Sequence, residues 1–182
     1  MNNTEQVLTE IIAKNLNLES SSPKVKDIVT LIIGFGLSAN METIQKGIGS
    51  NNSITLDGTP VTIKKDGAPD LKISISFKKD NIKNTIIISY NNNHTGFQEL
   101  KITEEFYDNK EEVKRIKTGY FPYTTGTQHG YIHVYTAEEL RLISNNTSGV
   151  AEQYNTTPLE ANLSLEEIIV RHKQIKEQTK TY

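Results

Sequence analysis

Cysteine is absent from this 182-residue chain, which removes disulfides, thiolate catalysis, zinc ribbons and iron–sulfur clusters together. Stability must come from packing. Arginine is nearly absent as well: Arg115, Arg141 and Arg171 are the three among 20 basic residues, so the bidentate fork that suits phosphate and carboxylate recognition is scarce. Charge of one sign is missing too, since 20 Lys and Arg stand against 22 Asp and Glu, a formal net charge of −2. No nucleic acid is expected as a partner, because a basic footprint that binds a phosphate backbone by counterion release is lacking.

Long apolar runs are also missing. The longest, Ile28 to Leu37, is broken by Thr30 and two glycines and falls well short of the ~20 residues that span a bilayer. The start, Met1-Asn2-Asn3-Thr4-Glu5, has neither the charged region nor the apolar core of a signal peptide. No membrane association and a cytoplasmic location are expected, and the Asn-x-Ser/Thr triplets read as coincidence in an Asn- and Thr-rich chain. The excess of Ile, Asn and Lys matches an A+T-rich coding sequence, hence a bacterial or phage source.

What is present suffices for one core. Leu, Ile, Val and Phe make up 48 of the 182 residues, about 26%, above the rough 20% below which chains stay disordered. The length fits a single domain, 1–182.

Periodicity divides that domain into three zones. Residues 1–49 read as helical: Asn3 and Gln6 form a possible capping box, and Val7, Leu8, Ile11, Ile12 and Leu16 share one helical face. Ser22 as N-cap and Pro23 at the first helical position start a second helix, with Val25, Ile28, Val29, Ile32 and Ile33 as its buried stripe. Gly34 and Gly36 should end it, and a short helix is expected over 41–46. Residues 53–136 alternate with period two. Leu71, Ile73, Ile75 and Phe77 point one way, with Lys72, Ser74, Ser76 and Lys78 between them, and Asp57-Gly58 and Asp80-Asn81 mark tight turns. Strands joined so briefly are antiparallel neighbours, giving a meander of about six or seven. Residues 137–182 return to helix, capped by Thr136 with Glu139 and by Ser164 with Glu167, around a polar loop at 145–161. The expected class is α+β, an antiparallel β-meander packed against N-terminal and C-terminal helices. A meander closed into a barrel or cup around an apolar ligand is an alternative.

The chemistry-bearing stretch is Tyr120 to Tyr135. In an extended Tyr131–Tyr135, Ile132 and Val134 face the core, and Tyr131, His133 and Tyr135 share the other, solvated face with His129 just before them. Tyr120, Tyr123, His129, Tyr131, His133 and Tyr135 are therefore the candidate binding residues. Aromatic pairs also stabilise sheets without any further role. On the enzymatic alternative, His129 and His133 with Tyr131 would pair a general acid with a general base. No metal site is expected, because in a strand His129 and His133 lie about 13 Å apart and no HExxH pattern is present. Nor is a cofactor: Gly34-Phe35-Gly36 and Gly47-Ile48-Gly49 follow helices, whereas a dinucleotide fingerprint follows a strand. Glu104 and Glu105 point to opposite sheet faces, and Lys110 to Lys117 read as a charged hairpin end. The expectation by exclusion is a non-enzymatic protein-binding domain of accessory, chaperone-like or immunity type, with another protein as partner. The alternative is a small His/Tyr-dependent hydrolase or nuclease of toxin or effector type.

Overall fold

The computed structural model describes residues 3–39, 52–67, 71–91, 96–122, 130–144, 156–159 and 163–175. Helices α1 (Asn3–Leu16) and α2 (Pro23–Gly34) open the chain. Ser22 Oγ accepts from the Lys24 backbone N–H at 3.3 Å, and Pro23 is the first helical residue, as the capping rules require. α2 stops at Gly34, and Gly36 follows at φ +86°, a conformation that Gly adopts without strain. α1 already includes Asn3, one residue earlier than a cap at Asn3 implies. The helix expected over 41–46 lies outside the described residues.

Seven strands then follow in order: β1 (Ser53–Leu56), β2 (Thr59–Asp66), β3 (Leu71–Lys79), β4 (Ile82–Tyr90), β5 (Phe97–Tyr107), β6 (Val113–Pro122) and β7 (Tyr131–Tyr135). Each pairs antiparallel with the next. The turns form where the local chemistry favours them: Asp57 and Gly58 have φ of 50° and 76°, and Asp80 and Asn81 have 54° and 62°, the left-handed pair that a two-residue hairpin needs. Helix α3 (Ala137–Ser144) follows β7, and helix α4 (Leu165–Gln174) closes the described chain. In α4 both reciprocal bonds between Ser164 and Glu167 are present.

One expectation needs correction. The 145–161 segment, read as a loop, contains a three-residue strand, β8 (Thr156–Pro158), that pairs with β7 and extends the sheet to eight. Thr-Thr-Pro carries no apolar alternation, but a ladder is made by backbone groups, and Pro is tolerated at a sheet edge. The strand order runs from β1 to β8 without a pairing between the two ends. The described sheet is open, with no closed barrel.

Register sorts the sheet into two faces. On the inner face, Ile63, Ile75, Ile86, Ile102, Gly119 and Ile132 lie in one row across β2–β7, and α1, α2 and α4 pack over it to form the core. Full burial of each such Ile contributes about 1.5–3 kcal/mol. Gly119 interrupts this row because α4 comes down there: a Cβ at 119 would meet the rings of Phe121 at 2.6 Å and His172 at 2.9 Å. No described helix is long and apolar enough to cross a membrane.

The inner face is not wholly apolar. Lys65, Lys79 and Lys117 all occupy inward positions; Lys65 and Lys117 reach the C-terminal end of a helix, and Lys79 the turn past α2. Lys65 Nζ donates to Leu16 O of α1 at 2.5 Å, Lys79 Nζ to Gly36 O just past α2 at 3.4 Å, and Lys117 Nζ to His172 O of α4 and to Ile175 O at its C-cap. The last carbonyls of a helix lack partners within it and carry its partial negative charge. A lysine from a neighbouring strand satisfies both needs.

Candidate functional site

The predicted Tyr/His stretch divides into two separate groups. Tyr120 of β6 and Tyr131 of β7 are direct register partners with ring centroids 5.8 Å apart, and Tyr131 stays 40% exposed. Glu99 lies 3.4 Å from the Tyr120 hydroxyl; burial first, then this carboxylate, raises the phenol's pKa. These two tyrosines belong to the outer face. Tyr123 and His129 lie outside the described residues.

His133 shares the outward parity of Tyr131 but is not solvated, contrary to the expectation from alternation. It is 3% exposed, its Nε2 lies 3.2 Å from Glu139 Oε2 of α3, and its ring stacks at 4.1 Å on Tyr135. Strand parity reports which face a residue points to, and α3 covers that face at the end of the sheet. Glu139, read from sequence as a helix-cap carboxylate, has its backbone N–H on Thr136 Oγ1 at 3.2 Å and turns its side chain to His133.

Across β1–β8 the outer face carries one continuous row, Ser53, Thr62, Ser76, Thr85, Thr103, Thr118, His133 and Thr156, one residue per strand. From Ser53 to Thr118 every member is a half-buried hydroxyl. Threonine suits this position because β-branched side chains favour strands and paired hydroxyls support each other across them. Five outward lysines flank the row (Lys64, Lys72, Lys78, Lys83 and Lys101), against Asp66, Glu99 and Glu105.

The inner face holds a polar cluster that the sequence did not announce. In one row, Asn84 of β4, Glu104 of β5 and Lys117 of β6 are consecutive register partners, and His172 of α4 lies above them. Lys117 is not a solvated hairpin-end charge, as its place in a basic run suggested, but a buried one, its side chain 5% exposed. Glu104 Oε1 lies 3.6 Å from Lys117 Nζ and 2.9 Å from His172 Nδ1, the latter contact off the axis of a hydrogen bond. Burial acts to raise the Glu104 pKa, but His172 and Lys117 together hold it below the usual carboxylate range. Burial lowers Lys117 against the opposing pull of Glu104. Burial likewise lowers His172, enclosed between Phe35 and Phe121 with centroids at 6.0 and 6.5 Å, so the neutral ring is favoured. One acid, one ammonium and a neutral imidazole form a balanced set whose visible task is to seat α4.

His133 and His172, the two described histidines, thus belong to opposite faces of the sheet. They do not converge. Comparison with family models, with curated proteins and with solved structures finds no match, so fold and site carry the functional argument alone.

Proposed function

We propose that this chain is a small non-enzymatic protein-binding domain, of accessory, chaperone-like or immunity type, that docks through the outer face of its sheet. The observation that carries this is the hydroxyl row from Ser53 to Thr118 with its flanking lysines and the Tyr120–Tyr131 pair. A half-solvated antiparallel sheet is ordinary, yet Tyr is enriched at interface cores and five lysines against three acids suit an acidic protein surface. The bacterial or phage origin and cytoplasmic setting belong to the same proposal and rest on composition.

The competing hydrolase or nuclease draws no support from the described residues. His133 is enclosed with Glu139, and His172 is enclosed on the other side. The test is affinity capture from the native source with the wild type beside Lys64→Glu/Lys101→Glu and Tyr131→Ala variants. A partner held by the wild type, released by both face variants and retained by an Arg115→Gln control is the expected result. A partner indifferent to both face variants, or turnover that His133→Ala abolishes without unfolding the chain, would overturn the proposal.

A further inference from the structure

Helix α4 is seated on two glycines. Its buried stripe is Leu165, Ile168, Ile169 and His172. Ile169 lies over Gly34 of α2, where a Cβ would meet its Cδ1 at 2.8 Å, and His172 lies over Gly119 of β6, where a Cβ would meet its Cδ2 at 2.9 Å. The first three stripe residues are aliphatic. The fourth is an imidazole, the side chain whose charge changes between pH 5 and 8.

His172 is fully enclosed, and neither ring nitrogen has a hydrogen bond of good geometry among the described residues. A neutral ring leaves one donor and one acceptor in that position; a protonated ring would leave two donors and a full charge. The groups that face it are already committed. From β5, Glu104 Oε1 lies 2.9 Å from Nδ1, but the same oxygen lies 3.6 Å from the Lys117 ammonium of β6, so protonation sets two cations on one carboxylate. Phe35 and Phe121 close the flanks of the ring, and Ile102 of β5 adds backbone beside it. The other charged groups at this end of the inner face, Lys79, Asp80, Arg115 and Lys173, are three cations and one acid. Lys117 cannot move aside, because it donates to His172 O and Ile175 O of the same helix end.

Water is the remaining partner for an imidazolium, and reaching it requires α4 to lift. The strands below keep their pairing without the helix, since β4, β5 and β6 are joined by backbone ladders of their own from Ile82 and Phe106 to Leu100 and Phe121. We propose that α4 is an acid-releasable latch: protonation of His172 detaches the helix as a unit from α2, β5 and β6 while the sheet stays paired. A proton that binds the released form better than the seated one pulls the equilibrium toward release, and helices at the edge of a core open at lower cost than its central strands. The latch lies on the inner side of the sheet, so it stands or falls separately from the docking face on the outer side.

Amide hydrogen exchange of the ¹⁵N-labelled full chain between pH 7 and 5, corrected for the intrinsic effect of pH on exchange, tests this. Amides of Ile169, Val170 and His172 should open at least about tenfold more readily than those of Ile86, Ile88 and Ile102. Their opening constant should rise by up to about 25-fold from pH 7 to pH 5, the limit for one histidine of ordinary pKa in the released helix. His172→Leu fills the same notch without a titrating group and should abolish the rise, a thermal melt verifying that the variant is folded. The wild type gives a second readout that needs no variant: the His172 Cε1–H resonance should titrate below the usual 6.5. Helix and strand amides that share one opening constant, a rise that persists in folded His172→Leu, or a ring that titrates at or above 6.5 would each overturn the assignment.

Discussion

Replacing Gly119 by alanine adds one methyl group, and the surroundings fix its cost. The new Cβ would lie 2.6 and 2.7 Å from Cε2 and Cζ of Phe121 and 2.9 Å from Cδ2 of His172, where non-bonded carbons prefer about 3.5–4.0 Å. Both rings are enclosed: Phe121 is 4% exposed and His172 not at all. Overpacking of this kind costs about 1–3 kcal/mol. Alanine returns about 0.5–1 kcal/mol in a strand by restricting the unfolded chain. With contacts this short the clash is taken near the upper half of its range, so a net loss of about 1–2.5 kcal/mol is expected, equivalent to a fall in Tm of about 2–10 °C for a chain of this size. Urea denaturation at constant m-value, paired with a thermal scan, measures it. A second arm isolates the cause: in a Phe121→Leu background the two closest atoms are gone, and the Gly119→Ala cost should drop by at least about 0.5 kcal/mol. An alanine variant that melts at or above the wild type, or one that costs the same in both backgrounds, would refute the account of how α4 meets the sheet.

The polar cluster beneath α4 makes further outcomes measurable. Lys117→Met strips the cap from α4 and leaves the Glu104 carboxylate buried without its ammonium, so unfolding free energy should fall by about 3–5 kcal/mol; Lys117→Met with Glu104→Gln should recover part of that loss in the same denaturant assay. His172, whose pKa burial lowers below its usual 6.5, is neutral in the fold and protonated in the unfolded chain once the pH drops below that value. Its contribution is therefore full above pH 6.5 and lost as acid is added, at most about 2 kcal/mol between pH 7 and 5. Equilibrium unfolding across that range should show the slope in the wild type and a shallower one in His172→Leu, and equal slopes would count against it. Glu104, held below the usual carboxylate range, adds a second loss at lower pH, which Glu104→Gln should remove from the acid limb of the same curve. Ser164→Ala breaks one bond of the capping box at α4 and should cost about 1 kcal/mol, read as a shift in denaturation midpoint.

Much of the fold could be read from the chain because its signals are local. Leu71, Ile73, Ile75 and Phe77 alternate with Lys72, Ser74, Ser76 and Lys78, Asp57-Gly58 and Asp80-Asn81 have few conformations open to them, and Ser22-Pro23 and Ser164-Glu167 start helices by bonds made within four residues. The misses are all non-local. β8 is held by backbone pairing to β7 and needs no apolar pattern. Gly119 looks like an unremarkable strand residue until His172, over fifty positions later, is placed above it. His133 keeps the parity that alternation predicts, but its burial is decided by Glu139 on a helix covering the other face. Lys117 sits in a basic stretch that reads as a solvated hairpin, and nothing nearby indicates that a helix ends over it.

The inward lysines show what kind of signal was present but unread. Alternation fixes a side chain's direction, and a lysine on an apolar parity is then a contradiction that a solvated-face explanation does not resolve. At 65 and 117 the resolution is the same: a helix terminates above the strand and a carbonyl at its end takes up the ammonium, whereas Lys79 reaches Gly36 O, two residues past α2. One such lysine serves each of α1 and α4, so the strands also encode where these helices stop. The consequence reaches beyond stability. Lys79 and Lys117 lie toward the same end of the sheet, so two inward ammonium groups gather there. The packing solution that seats the helices thus also sets charge on the inner side of the sheet, opposite the tyrosines that alternation highlights.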